Sequence, residues 1–392
     1  MARIYFDNAA TTPVDARVVE AMRPYWTETF GNPSSLHADG RLAREAVEEA
    51  RRSVARLINA EPDEVVFTAS GTEADNLALL GVPGLDGRSA AHAVLGAIEH
   101  PAVLETGRVL GLRRVEVTLL RADTDGIIDP GALKAVLKPE TKLVSIMTAN
   151  NVTGVLQPVA ALAAAAHRGG CLFHTDAVQA AGRIPVDVRA WDVDLLSLSA
   201  HKIYGPKGVG ALFVRRGLVL EPLLHGGGQE RGLRPSTENV AGIVGTGKAC
   251  AIAGREMAAE AARLVGLRDH LIDRVLADLP CAYLIGHRFR RLPGHVCLGF
   301  AGREGEAIRT LLALDEAGIS VSSGSACSAH RADEPASALT GMGLDPIAAR
   351  GALRVSLGRF NTEEDVERFL DVLPGIVPSP RRPASAGPAG SS

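Results

Sequence analysis

Up to about Gly247, short apolar runs rich in β-branched residues alternate with longer helical patterns, and this alternation limits the possible folds more than any other feature of the chain. Strand-like runs stand at Glu64–Phe67, Lys142–Met147, Gly170–His174, Asp194–Ser199 and Val209–Val214. Helical patterns begin at Thr72 and at the alanine-rich stretch from Val159. A chain that repeats strand and helix in this way is predicted to form an α/β fold, with a largely parallel sheet covered by helices on both faces.

The chain has 392 residues, more than the roughly 250 to 300 at which a single core stops growing, so two domains are expected. After Gly247 the pattern changes to one long helical segment, Ala249–Leu279, and then to mixed sequence with strand-like Val296–Phe300 and Ile319–Val321. This second part reads as a smaller α+β domain. The predicted division is a large domain over 15–255 and a small domain built from 1–14 and 256–373. From Pro374 the composition collapses to Pro, Ser, Arg, Ala and Gly, so 374–392 is read as a disordered tail.

Lys plus Arg number 42 against 45 Asp plus Glu, a net charge of −3, so neither direct nucleic-acid binding nor attraction to an anionic membrane is expected. The longest apolar stretches, such as Ala160–Ala166, fall far short of a bilayer span of about 20 residues. The N-terminus reaches Asp7 without an apolar signal core, and the cytoplasm is the expected compartment. Five cysteines with no Cys-x-x-Cys pair fit neither a disulfide framework nor a zinc ribbon. His225, His287 and His295 also lack metal-ligand spacing, and no metal site is predicted.

Five local features could carry chemistry. Thr68-Ala-Ser-Gly71 follows a strand and opens a helix, where Thr72 with Asp75 three residues on resembles a capping box and free N–H groups suit a phosphate. Asp176 sits just past a buried strand, where open α/β sheets bind ligands. Lys202 ends the next strand, before a Gly/Pro-rich turn. Cys327 lies in the small, polar run Ser322–Ala329, unlike Cys297 among its apolar neighbours. Arg354 stands in an apolar strand-like run and suits a fork on a carboxylate. A phosphate loop, a carbonyl-reactive lysine and an acid to face a pyridinium nitrogen are together what a pyridoxal phosphate enzyme requires. By contrast, Gly242–Ala249 mimics a Walker A loop but has Ala249 where a hydroxyl should be and no apolar strand before it, so no nucleotide site is assigned there.

Taken with longer motifs, the chain resembles the cysteine desulfurases, fold type I pyridoxal phosphate enzymes also grouped as class V aminotransferases. The motifs are Tyr5–Pro13, Gly31–His37, Ile98–His100, Asn150-Asn151, His201–Gly208, Gly226–Arg231 and Arg354–Phe360. The resemblance implies a fold type I transferase and a homodimer. Lys202 would carry the cofactor covalently, Asp176 would face its ring nitrogen, and His100 would stack on the ring and assist proton transfer. Gln179 and Asn151 would lie on the phenolic oxygen side, with Asn151 and Arg354 near the substrate carboxylate. Gly71, Thr72, Ser199 and His201 would hold the phosphate, joined by Thr237 from the other subunit.

Cys327 stands where the family places its persulfide-forming nucleophile, in the Ser-Ser-Gly-Ser-Ala-Cys signature of the long-loop group, within the small domain. The implied reaction takes sulfur from L-cysteine, releases L-alanine and leaves a persulfide for an acceptor protein, in iron–sulfur cluster assembly or another thiolation pathway. The resemblance also allows Cys327 a transient role as an iron–sulfur ligand. An unperturbed thiol is only a few per cent ionised at pH 7, so His100 or the substrate amine is expected to take the Cys327 proton. Ser236 stands where the family more often has glycine, and the C-terminal tail replaces the family's ordered extension. A related fold type I enzyme, such as an aminotransferase or selenocysteine lyase, would share Lys202 and Asp176 but would not use Cys327 as a persulfide carrier. A noncatalytic scaffold with this fold would have no need of the full set.

Overall fold

The computed structural model describes residues 3–324 and 337–377. After a short first strand, β1 (Ile4–Tyr5), the chain builds its main sheet from β2 (Val65–Thr68), β3 (His92–Gly96), β4 (Glu116–Leu120), β5 (Thr141–Ser145), β6 (Leu172–Asp176), β7 (Leu195–Ser199) and β8 (Gly210–Val214). The order across the sheet is β2-β8-β7-β6-β5-β3-β4. Every pairing from β7 to β4 is parallel, while β8 runs antiparallel to both of its neighbours. The reversal follows from chain length, because the connection from Ser199 to Gly210 is shorter than the dozen or more residues a parallel crossover needs. Strands β3, β7 and β8 are buried throughout, as continuous apolar strands between helical layers should be.

A smaller antiparallel sheet combines β9 (Ala282–Leu284), β10 (His295–Phe300), β12 (Ser322–Ser323) and β13 (Leu353–Ser356) in the order β12-β13-β10-β9. Strand β1 pairs in parallel with β11 (Ile319–Ser320), and Asp7 bridges Ser356, so the N-terminus is stitched to this second unit. One helix, Val240–Asp278, serves both units: Ile243, Ala249 and Cys250 pack into the core of the main sheet, whereas Leu264, Leu271 and Val275 pack with Phe300, Leu353 and Phe369.

This helix starts nine residues before the predicted Ala249, capped by Asn239, whose side chain accepts the Gly242 N–H at 3.1 Å. The glycines that conceal its start lower helix propensity but permit close packing. A Cβ on Gly247 would lie 2.4 Å from the Ala50 Cα of the helix Ala38–Ile58, so the Walker-like glycines are a helix crossing. The C-terminal boundary also moves. The helix Glu363–Ile376 runs through Pro374, where composition alone begins the tail, because Leu373 and Val377 are buried in the smaller core. Residues 378–392 of the predicted tail lie outside the described residues. Among the described residues no helix is long and apolar enough to cross a membrane.

Candidate active site

Parallel strands deliver their following loops to one edge of a sheet, and the candidate residues sit on those loops. Strand β6 ends at Asp176, β7 at Ser199, and β2 leads into Ala69-Ser70-Gly71, while β3 and β5 lead to His100 and Asn151. Immediately after β7, a short 3₁₀ turn, Ala200–Lys202, carries the lysine.

The N-terminal loop closes over that turn. Lys202 Nζ donates to the carbonyls of Ala9 at 2.6 Å and Ala10 at 2.8 Å, and Gln179 Nε2 donates to the same Ala9 carbonyl at 2.9 Å. Arg183 reaches both the Asn8 carbonyl, at 2.8 Å, and the Lys202 carbonyl, at 3.3 Å. Thr12 accepts the Tyr204 N–H and donates to the His201 carbonyl. The structure therefore brings Lys202, Gln179 and His201 together around residues 8–12, a loop whose role no propensity or periodicity signal reveals.

His100 caps the helix Pro101–Leu112, its Nδ1 accepting the Ala102 N–H at 3.1 Å. That bond leaves Nε2 as the nitrogen that carries the proton of the neutral ring. Burial, helped by the nearby Lys202 charge, holds the His100 pKa down at about 4, and the same two causes, with Lys207, hold His201 at about 4. Both rings are neutral at pH 7. Asp176 accepts the Val178 N–H at 2.8 Å, and burial raises its carboxyl while the Lys202 charge opposes the rise.

Behind Asp176 lie two further buried carboxyls that sequence reasoning did not single out as interior groups. Asp75 and Glu99 are both raised, first by burial and then by the Asp176 charge, so Asp176 is the member of the group best placed to ionise. Asp75 Oδ1 is 3.7 Å from His174 Nε2. His174 is enclosed, with Ser145 at 2.8 Å from Nδ1 and Ser197 at 3.0 Å from Nε2, and burial lowers its pKa to about 3.

A histidine kept neutral in the fold takes up its proton only on unfolding, so between pH 3 and the unfolded value near 6.5 the unfolded chain binds more protons and stability falls as pH falls. Between pH 7 and 5, the apoenzyme is expected to lose about 2 kcal/mol more stability in the wild type than in His174→Gln. Urea titrations at the two pH values measure the difference, and equal losses would contradict the buried neutral assignment.

The phosphate-cradle expectation meets a different cap. Ser70, rather than Thr72, caps the helix Gly71–Leu80, accepting the Glu73 N–H at 3.1 Å, while Glu73 Oε2 accepts the Ala69 N–H at 3.0 Å. Asp75, the expected capping acid, points into the interior instead, because the chain enters the helix two residues earlier. The amides of Gly71 and Thr72 then fall in the first turn, where a helix offers them no internal acceptor. A Cβ on Gly71 would meet Val178 Cγ2 at 2.8 Å and Ser199 Cβ at 3.3 Å, so the loop packs tightly against the ends of β6 and β7.

Thr237 is not hydrogen-bonded to this group. It lines a cavity of about 260 Å³ with Thr68, Ala69 and Arg234, and Arg234 ties its loop to Glu73 at 2.9 Å. The neighbouring Ser236 has φ of 111°, the region favouring the glycine more common there in the family.

Arg354 is 2% exposed; its Nη1 donates to the Asn151 carbonyl at 3.0 Å and its Nη2 to Asp7 Oδ1 at 2.7 Å, while its Nε has no partner among the described residues. The opposing strand contributes His295, fully buried, with neither ring nitrogen hydrogen-bonded to any described residue. Ser322 pairs with Arg354 across β12 and β13, and Gly324 donates its N–H to the Ala352 carbonyl at 2.9 Å. Cys327, three residues further on, lies outside the described residues.

These residues fit pyridoxal phosphate: a lysine amine, an acid on the adjacent strand end, first-turn amides for a phosphate, and the buried Gln179 Oε1, an acceptor with no partner among the described residues. Residues 4–369 match the family model described as Aminotransferase class-V. The chain is 47% identical to a cysteine desulfurase IscS of Dictyoglomus turgidum over 95% of this chain and 94% of that protein. It is also similar to a solved NifS-like protein, at 38% identity and a TM-score of 0.88, over 95% of this chain and 99% of that one. A structure of SspA in complex with cysteine is 32% identical with a TM-score of 0.80, covering 92% of this chain and all of that one.

Proposed function

The chain belongs to the class-V aminotransferase family, and within it to the cysteine desulfurases, and from that membership we propose how its residues take sulfur from L-cysteine and pass it to an acceptor protein. The supporting observation is the Lys202 amine, held at the carbonyls of Ala9 and Ala10 on the same sheet edge as Asp176. Pyridoxal phosphate, when bound, supplies an electron sink for bonds broken at the substrate.

Lys202 would carry the cofactor, Asp176 would supply the negative charge that favours a protonated ring, and Gly71, Thr72, Ser199 and His201 would hold its phosphate through N–H and hydroxyl donors. Gln179 and Asn151 would orient the ring, and Thr237 would complete the phosphate site across a homodimer. Arg354, its Nε without a partner among the described residues, would receive the substrate carboxylate beside Asn151.

His100 would stack on the cofactor ring; being neutral, it takes a proton at Nδ1 only by giving up its bond to Ala102, which leaves Nε2–H as its free donor. The Cys327 thiolate attacks the substrate sulfur; the S–S bond forms as the Cβ–S bond breaks, and protonation of the carbon yields L-alanine. The Cys327 persulfide is then collected by an iron–sulfur scaffold or another thiolation enzyme, in the cytoplasm. The purified enzyme with cofactor, L-cysteine and a thiol reductant is expected to form alanine and sulfide in equal amounts. A keto acid in place of alanine, or alanine without sulfide, would contradict the reading.

A further inference from the structure

Tyr204 stands two residues beyond Lys202 with φ of 64°, a left-handed conformation that a bulky side chain rarely adopts. The position is that of a helix-terminating residue: Ile203 and Gly205 both donate their N–H to the Ala200 carbonyl, so the turn that carries Lys202 closes through Tyr204. Glycine would take this conformation without strain. A tyrosine held there against its preference implies that its surroundings fix it, and strain of this kind gathers at functional sites.

Those surroundings come from both units of the fold. The Tyr204 N–H donates to Thr12 Oγ1 at 2.9 Å, and its hydroxyl accepts the Arg359 N–H at 2.6 Å. The Arg359 guanidinium lies 4.5 Å from the ring centroid and is fixed in turn by Asp15 at 2.5 Å, while Phe360 packs edge-on against the ring at 5.8 Å. Gly358 approaches so closely that a Cβ there would meet the Tyr204 hydroxyl at 2.6 Å and Asn8 Oδ1 at 2.4 Å. Gly358–Phe360 follow directly from β13, the strand that carries Arg354.

We propose that Tyr204 and Arg359 form a clasp that sets the pose of Lys202 and links it to the Arg354 strand. Tyr204 is a positioning residue: it fixes the turn, the turn fixes the lysine against Ala9 and Ala10, and Arg359 ties the turn to the chain that follows β13. This inference rests on the desulfurase reading for the reaction it serves, but its main test is spectroscopic.

The pH midpoint of the visible absorption of cofactor bound at Lys202 is measured on the holoenzyme of wild type, Tyr204→Ala, Tyr204→Phe and Arg359→Gln. The titratable groups near the lysine, His100, Asp176, His201 and His295, are common to all four, and so is Arg183 on its carbonyl. The Tyr204→Ala midpoint is expected to move by about one pH unit, a tenfold change in proton affinity, and Tyr204→Phe and Arg359→Gln by smaller amounts in the same direction. With it, kcat falls about 10- to 100-fold and KM changes far less, because a displaced lysine costs alignment rather than binding.

An unchanged midpoint in the folded variants, even with lowered melting temperature, would overturn the clasp and leave Tyr204 a purely structural residue. Should Tyr204→Ala fail to fold, Tyr204→Phe and Arg359→Gln give the same comparison. A wild type that makes no alanine or sulfide would refute the desulfurase reading, while the midpoints would still decide on the clasp.

Discussion

Replacing Lys202 with alanine is expected to abolish turnover of L-cysteine, with kcat lowered by at least about 10²- to 10⁴-fold, the range for removal of one group that both positions and moves protons. The same change is expected to prevent covalent capture of the cofactor. Borohydride treatment of the wild type should fix pyridoxal phosphate on the peptide containing Lys202, and mass spectrometry of the digest should find that peptide unmodified in the variant. The expectation stands on local geometry: the Lys202 amine is held by two backbone carbonyls, on a turn two residues from a left-handed tyrosine. Lys207, on the same connection, reaches only the Thr12 carbonyl at 3.4 Å and is not expected to substitute. Label on Lys207 in the wild type, or full activity in Lys202→Ala, would contradict the assignment.

Much of this arrangement was legible in the sequence because it depends on local order. Asp176, Ser199 and Lys202 follow buried apolar runs, and a parallel sheet has to bring such loops to one edge. Strands β3 and β4 were not recognised. His92–Gly96 is short and includes a histidine, which Thr141 and Thr118 satisfy only across neighbouring strands. Strand β4 is a sheet edge, mostly exposed or half-buried, and lacks the apolar run of its neighbours.

What stayed hidden depends on contacts distant in sequence. The Ala9 and Ala10 carbonyls, the Arg183 bridge and the Arg359 contact with Tyr204 join residues about 150 or more positions apart. Only the resemblance drew attention to those motifs, and it assigned no such contacts. Asp75 reads as a capping acid until the helix start moves two residues earlier, and Glu99 differs from a surface acid only by its burial. The orphaned nitrogens of His295 have no sequence signal at all.

Cys327 is the residue proposed to take the sulfur from the substrate. In the sequence it follows Ser322–Gly324 in a run of small polar residues, whereas burial pushes the pKa values of Cys250 and Cys297 up to about 12 and leaves those thiols poor nucleophiles at neutral pH. Removing the nucleophile should cost almost all sulfide release and leave cofactor binding intact, since Cys327 has no assigned part in holding the cofactor. The most direct measurement is therefore alanine and sulfide formation from L-cysteine by wild type and Cys327→Ala, with the visible absorbance of each recorded in parallel. The wild type is expected to form equal amounts of both products, and the variant to keep its colour while releasing almost no sulfide. A fully active Cys327→Ala would contradict the persulfide mechanism.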